Sequence, residues 1–260
     1  MIKKAILLGR KTGAAQALKW LLENKIAVPL VVADQNESKP GYLSNVAENL
    51  GIPVYFDDTP VYKMIEERSP LLANVDLVIS YLHPKKIRVP LFKLGKRGCV
   101  NFHPAPLPEY KSRAGYNTAI LDQKNEFGVS AHFIDSEKFD SGPIIKVLKF
   151  PIDHSTEIVL SLEKKTQDKL FELFVQTMEL FLSGKDIETT ENSGGLYLTA
   201  KELERLKIVD PAKDSTEEID RKIRAFFFPP HHGAKIILAG KEYTLVNKEV
   251  LEHIAKLIHK

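Results

Sequence analysis

Residues 1–33 read MIKKAILLGRKTGAAQALKWLLENKIAVPLVVA, and the order of patterns in this stretch decides the fold. Residues 3–8 are a short apolar run closed by Gly9. Residues 12–22 then place Ala14, Ala17, Leu18, Leu21 and Leu22 on one helical stripe. Residues 27–33 return to a nearly continuous run of Val, Leu and Ala, as a strand buried on both faces requires, and Asp34-Gln35-Asn36 stops it. A strand, a crossover helix and a second strand make a parallel pair.

The same alternation continues outward. Pro40-Gly41 opens a helix to residue 50, residues 51–55 give a third strand, 61–67 a helix and 75–81 a fourth strand. This alternation predicts an α/β fold with a doubly wound, mostly parallel, Rossmann-like sheet. The first turn, Gly9-Arg10-Lys11-Thr12-Gly13, is spaced G-x-x-x-G rather than G-x-G-x-x-G, so it does not carry the dinucleotide fingerprint. Arg10 and Lys11, at a strand end where a helix begins, are instead candidates for meeting a substrate phosphate.

Further along, residues 101–145 read NFHPAPLPEYKSRAGYNTAILDQKNEFGVSAHFIDSEKFDSGPII. The apolar run before it stops at Asn101 and His103 and breaks against Pro104, Pro106 and Pro108, which leaves two polar side chains at a strand's end. Open α/β sheets bind ligands there. A short helix is expected at 116–121 and a strand at 127–134 carrying His132, leading into an acidic turn at 135–140. An amide, an imidazole and a carboxylate can then converge.

Asn101-Phe102-His103-Pro104 with Leu107-Pro108, then residues 128–133 (GVSAHF) and 140–145 (DSGPII), resemble the catalytic core of the formyltransferases that use N10-formyltetrahydrofolate. That family includes methionyl-tRNA, glycinamide ribonucleotide and nucleotide-sugar enzymes. The resemblance spans residues 1–185 in its order of elements. It implies that Asn101, His103 and Asp140 are the catalytic set and N10-formyltetrahydrofolate the co-substrate. An amine attacks the formyl carbon, an oxyanion develops, and the amine proton must leave. Those steps call for a preorganised donor, a group titrating near neutrality and a carboxylate to orient it. How base and oxyanion duties divide between His103 and Asp140 does not follow from the sequence. The resemblance also implies that Tyr81, Leu82, Asp135 and Gly142 line the pterin pocket. Lys85 is a candidate for a substrate diphosphate.

The chain is 260 residues long, 43% hydrophobic and 27% charged. It has no apolar run long enough to span a bilayer, and its opening is too soon interrupted for a signal peptide, so a cytoplasmic enzyme without membrane partners is expected. The single cysteine, Cys99, excludes an internal disulfide. Eight histidines include no ligand-spaced motif, and no metal is expected. A net charge of +3 announces no nucleic-acid partner, which needs a concentrated basic face.

A long amphipathic helix over 156–182 is predicted to close a catalytic domain of residues 1–185. The polar stretch 188–195, with Ser193-Gly194-Gly195, reads as a linker to a small α+β domain, residues 186–260. There, helices are expected at 199–206 and 216–226, the second capped by Ser215. A hairpin at 234–246 and a final helix from 249 follow. Residues 223–234, IRAFFFPPHHGA, resemble an element that follows the catalytic domain in sugar and tRNA formyltransferases, and Phe227 and Phe228 are candidates for stacking on a nucleobase.

The implied acceptor is a 4-amino-4,6-dideoxy sugar on a nucleoside diphosphate, because glycinamide ribonucleotide enzymes leave 188–260 without a role and tRNA enzymes carry a longer barrel. A folate- or nucleotide-binding module without activity is the non-enzymatic alternative. A homodimer is expected, with Ile236, Ile237, Leu238, Leu251, Ile254 and Leu257 as its surface.

Overall fold

A computed structural model describes residues 1–37 and 39–258. The first half alternates as the sequence predicts: β1 (Ala5–Gly9), α1 (Lys11–Glu23), β2 (Val31–Ala33), α2 (Leu43–Asn49), β3 (Val54–Tyr55), α3 (Thr59–Glu66) and β4 (Leu77–Tyr81). Then come β5 (Cys99–His103), β6 (Tyr110–Ser112), α4 (Gly115–Leu121), β7 (Glu126–Phe133), β8 (Ile144–Pro151) and the long α5 (Val159–Leu182). Seven strands form one sheet in the order β3-β2-β1-β4-β5-β7-β8. It is parallel from β3 to β5 and antiparallel over β7 and β8. Strand order reverses between β1 and β4, so the loops after these two strands diverge and open a crevice.

Helices cover both faces, and the strands show it residue by residue. Ala5 and Leu7 of β1 and Leu77, Ile79 and Tyr81 of β4 pack under α1 and α5, while Ile6, Leu8 and Val78 pack on the other side with Val61, Leu91 and Cys99. The period of two that puts Cys99 on this second face also puts Asn101 and His103 there. Ser80 follows Val78 onto the same face. The apolar row therefore turns polar at the C-terminal ends of β4 and β5.

The remaining elements are β9 (Leu196–Leu198), α6 (Ala200–Leu206), α7 (Thr216–Phe226), β10 (Lys235–Leu238), β11 (Lys241–Thr244) and α8 (Lys248–Ile258). Thr199 and Ser215 form capping boxes with Glu202 and Glu218 at the starts of α6 and α7. A small cluster of Ile158, Val209, Ile223, Phe227, Ala234 and Val250 gathers here. α7 also packs on α4 and α5, and Ala225 and Phe226 join the main core. Of the residues expected at a dimer surface, Ile237, Leu238 and Leu251 are exposed, Ile236 is half-buried and Ile254 packs on the small cluster. The side chain of Leu257 lies outside the described residues.

The stretch expected to act as a linker is instead held against the loop after β5. Thr190 exchanges both backbone hydrogen bonds with Ile144 at 2.8 and 2.9 Å, and β9 pairs in parallel with β6. Gly195, at φ +84°, passes so close that a Cβ would sit 1.6 Å from the Pro108 carbonyl oxygen. Glycine permits that approach and that backbone together. Composition signals flexibility at Ser193-Gly194-Gly195, but Gly195 serves close packing.

Candidate active site

The site begins as one cross-strand row. Ser80 of β4 pairs with Asn101 of β5, and Asn101 pairs with His132 of β7, so three polar side chains stand abreast at the sheet's C-terminal rim. Ser80 Oγ donates to Asn101 Oδ1 at 2.7 Å, which fixes which end of the amide points onward. Asn101 Nδ2 then reaches His132 Nε2 at 3.0 Å and Asp140 Oδ1 at 3.3 Å. His132 Nδ1 donates to the Phe133 carbonyl at 2.9 Å, leaving Nε2 as the acceptor that Asn101 needs.

His103 lies two residues on. Its Nε2 donates to the Tyr110 carbonyl at 2.9 Å, and its Nδ1 stands 3.4 Å from Asp140 Oδ1. Nδ1 is thus the one ring nitrogen left for chemistry. Asp140 closes the group: the Ser112 N–H donates to Oδ2 at 2.8 Å, and both His103 Nδ1 and His132 Nε2 lie 3.4 Å from Oδ1. The three residues expected to be catalytic come together, and they come with Ser80, His132 and the Ser112 amide, which the sequence reading did not assign. The strand register was the signal that reaches His132.

Burial and charge pull against each other here. Burial alone would raise the Asp140 carboxyl, but the His103 imidazole, the His132 hydrogen bond and the Ser112 amide hold it at about 2. Burial lowers the His103 pKa below the ordinary imidazole value, with Asp140 opposing and His132 adding to the fall. The Asp140 shift leans on a charged His103, while burial disfavours that charge. Desolvation dominates for a ring with only 5% of its surface exposed, so His103 rests neutral beside an ionised Asp140.

Gly142 does not line the cavity. A Cβ there would meet the Phe133 carbonyl oxygen at 2.0 Å and Asp135 Oδ1 at 3.0 Å, so its lack of a side chain lets the turn carrying Asp140 lie against the end of β7. Gly142→Ala is expected to displace that turn, destabilising the protein by about 1–3 kcal/mol and lowering turnover about a hundredfold. Urea midpoints and initial rates on the same preparation would check both.

Two lobes adjoin at this end of the sheet, and the row lies in one of them. The larger, about 630 Å³, holds Asn101, His103, His132 and Asp140 with Leu82, His83, Lys85 and Ile134. The smaller, about 390 Å³, lies among α4, α5 and the C-terminal elements, with Lys11, Tyr116, Gln167, Lys207 and Phe226. Arg10, Leu82, Pro104, Arg113, Tyr116, Phe228 and His231 border both. Leu82 takes a left-handed φ of +57° as the chain leaves β4. Lys11 pairs with Glu163, and its backbone N–H meets the Glu37 carboxylate. Lys85 pairs with Asp57 and lies 4.0 Å from Asp58.

Besides Gly142, three further expectations need correction. Tyr81 faces the other way: its ring is fully buried between Phe102 and Phe174, pressed against Gly13, and its carbonyl accepts the Arg10 N–H at 3.2 Å. The period of two decides this, since Ser80 faces the site and its neighbour cannot. Asp135 is exposed behind the turn and borders neither lobe. Phe227 is buried in the small cluster, edge-on to His253. As the chain leaves α7, Phe226 enters the main core, Phe227 the small one and only Phe228 ends beside both lobes, stacked on His231 at 5.8 Å.

The family described as formyl transferase matches residues 56–178, which carry the whole row. The GDP-perosamine N-formyltransferase of Brucella melitensis is 30% identical over 181 residues, 70% of this chain and 68% of that protein. This chain belongs to the formyl transferase family. The methionyl-tRNA formyltransferase of Pelagibacter ubique is 26% identical over an alignment covering 96% of this chain and 81% of that one. Among solved structures, the N-formyltransferase of Helicobacter canadensis, in complex with folinic acid and dTDP-3-aminofucose, superposes with a TM-score of 0.71 at 22% identity, covering 95% and 89% of the two chains. The likeness of this formyltransferase to the Pelagibacter ubique protein thus extends over nearly the whole chain, and its fold is that of the Helicobacter canadensis structure. No helix among its described residues is long and apolar enough to cross a membrane.

Proposed function

We propose that the protein moves a formyl group from N10-formyltetrahydrofolate to the amine of a nucleotide-linked amino-dideoxy sugar, with the C4 amine of a 4-amino-4,6-dideoxy sugar as the expected acceptor. The observation that carries this reading is the placement of Asn101, His103 and Asp140 in the larger of two lobes that share Arg10, Leu82, Pro104, Tyr116 and Phe228 as a common border. A bisubstrate transfer needs two seats opening on one reacting point.

The larger lobe suits the folate. Its volume lies in the range of drug-sized ligand sites, roughly 300–1,000 Å³. Its wall holds His83, whose two ring nitrogens find no partner among the described residues and whose pKa burial pushes down to about 4. A neutral, unpaired imidazole offers one donor and one acceptor to a heteroaromatic ring. The smaller lobe suits the nucleotide. Both amide atoms of Gln167 and the Nε of Arg10 are buried there without partners among the described residues, and Phe228 with His231 offers a stacking plane.

When bound, N10-formyltetrahydrofolate supplies the formyl carbon, and the residues of this chain divide the rest. Asn101 Nδ2, loosely held by Asp140, turns its hydrogen toward the formyl oxygen as that oxygen gains charge. His103 Nδ1 takes the proton the amine loses as its bond to carbon forms, and returns it to N10 as the older C–N bond breaks. Asp140 stabilises the imidazolium in between. The helices and strands that follow residue 185 act, in this reading, as a small C-terminal domain that builds the wall of the nucleotide lobe.

The test is a panel of dTDP-, GDP- and UDP-linked 3-amino and 4-amino dideoxy sugars, with glycinamide ribonucleotide and methionyl-tRNA alongside, scored by product mass and tetrahydrofolate release. The expected result is one nucleotide sugar preferred by at least about a hundredfold, the discrimination a hydrogen-bonding site readily gives. Formylation of methionyl-tRNA or glycinamide ribonucleotide ahead of every sugar would overturn the acceptor. Folate binding with no transfer at all would favour the binding module.

A further inference from the structure

Asp140 stands on a strained piece of backbone. Its φ is +48°, a region a non-glycine residue adopts only when its surroundings impose it. Ser112, whose N–H holds the carboxylate, is also left-handed, at φ +67°. Neither belongs to a helix or to the main sheet that would enforce such angles. Asn101, His103, His132 and the Ser112 N–H meet the Asp140 carboxylate, whereas its backbone carbonyl is met by a side chain 52 residues away. Asn192 Nδ2 donates to the Asp140 carbonyl at 3.0 Å and to the Gly142 carbonyl at 2.8 Å, spending both amide hydrogens on the carbonyls of the two residues that flank Ser141. Two carbonyls facing one atom fix that atom as nitrogen.

Asn192 is itself anchored. Two residues earlier, Thr190 exchanges backbone hydrogen bonds with Ile144, and the Lys111 ammonium donates to the Asn192 carbonyl at 3.1 Å. Lys111 precedes Ser112 in β6, which pairs with β9 just beyond Asn192. The segment 190–198 thus grips the Asp140 turn with one hand and the Ser112 strand with the other. Its own amide oxygen, Oδ1, is buried without a partner among the described residues, so the position uses the two donors and gains nothing from the acceptor.

We propose that Asn192 is a positioning residue for the reaction: its amide holds the turn that delivers the Asp140 carboxylate to His103 and to the Ser112 N–H. This rests on the reading of Asp140 as catalytic. Without the clamp the turn relaxes from its left-handed backbone, Oδ1 retreats from the imidazole, and the proton on His103 loses its counter-charge.

The experiment is a double-mutant cycle between Asn192→Ala and Asp140→Asn, with turnover, both KM values and pH profiles read on each protein. Asn192→Ala is expected to lower kcat about 10- to 100-fold, the scale of an ångström-sized misplacement, with both KM values within about twofold. The acid limb of its kcat/KM profile should move to lower pH, because Asp140 is what raises the His103 pKa. In the Asp140→Asn background the same change should cost less than about twofold, since the group it positions no longer carries its charge. An equal loss in both backgrounds would make Asn192 merely structural and overturn the proposal, as would wild-type turnover in the folded single variant.

Hydrogen exchange at the Ser112 amide gives a readout independent of activity. It should quicken in Asn192→Ala while the amides of β1 and β4 stay protected, and unchanged protection at Ser112 would overturn the clamp. Asn192→Ser keeps one donor and is expected to show intermediate loss and intermediate exchange; it is the variant to read should the alanine protein not fold. If Asp140→Asn alone turns over like wild type, the catalytic reading of Asp140 fails, and exchange at Ser112 still reports whether Asn192 holds the turn.

Discussion

His103→Ala is expected to lower kcat by about two to four orders of magnitude while leaving the Kd for folate within about twofold, because an acid–base group acts on the transition state and not on ground-state binding. Two features of the ring make the effect large. Tyr110 fixes Nε2 as a donor, so Nδ1 is the single nitrogen that can take a proton, and the ring is too buried for water to stand in readily. The pH profile carries the sign. The working form is neutral, burial lowers the His103 pKa below 6.5, and so kcat/KM should stay flat through neutrality and fall only on the acid side of that ordinary value. Asp140→Asn removes the charge that opposes the fall, so its acid limb should move to still lower pH. Rates from pH 4.5 to 8.5 on wild type and both variants check the order. Wild-type turnover in His103→Ala, or a loss confined to KM, would remove His103 from the chemistry.

Much of this was legible in residue patterns, and the limits have physical causes. The parallel half of the sheet shows in the chain because β1, β2 and β4 are buried on both faces and the helices on one, and these produce different periods. Asn101 and His103 show as the point where an apolar strand turns polar. Tyr81 was misread because a strand end alternates faces, and the phase of that alternation is set by pairing with β1 and β5. Phe226, Phe227 and Phe228 look alike in sequence, yet the irregular backbone after α7 sends them to three places. The pairing of β6 with β9 leaves no trace, since three residues on each side are too few to carry a period. Asn192 was invisible for the same reason: its work is done on backbone carbonyls, which have no sequence signature.

Asn101→Ala should cost about 10²–10³ in kcat, or roughly 2.7–4 kcal/mol, the loss typical of a single oxyanion donor. The chain of hydrogen bonds explains why this donor is worth so much. Ser80 holds Oδ1, His132 takes one hydrogen of Nδ2, and the other points at Asp140 over 3.3 Å, long enough to be given up as charge develops on the formyl oxygen. The amide is therefore oriented before substrate arrives and gives up only its long contact to Asp140 during the step. Ser80→Ala tests that orientation apart from the donor: the amide survives but can turn over, and turnover should fall about tenfold, the scale of one lost neutral hydrogen bond. Single-turnover rates at saturating folate and sugar separate these effects from product release. A Ser80→Ala loss as large as that of Asn101→Ala would place the serine hydroxyl itself at the reacting oxygen. No loss in Asn101→Ala would leave the charge on that oxygen to some other donor in the cleft.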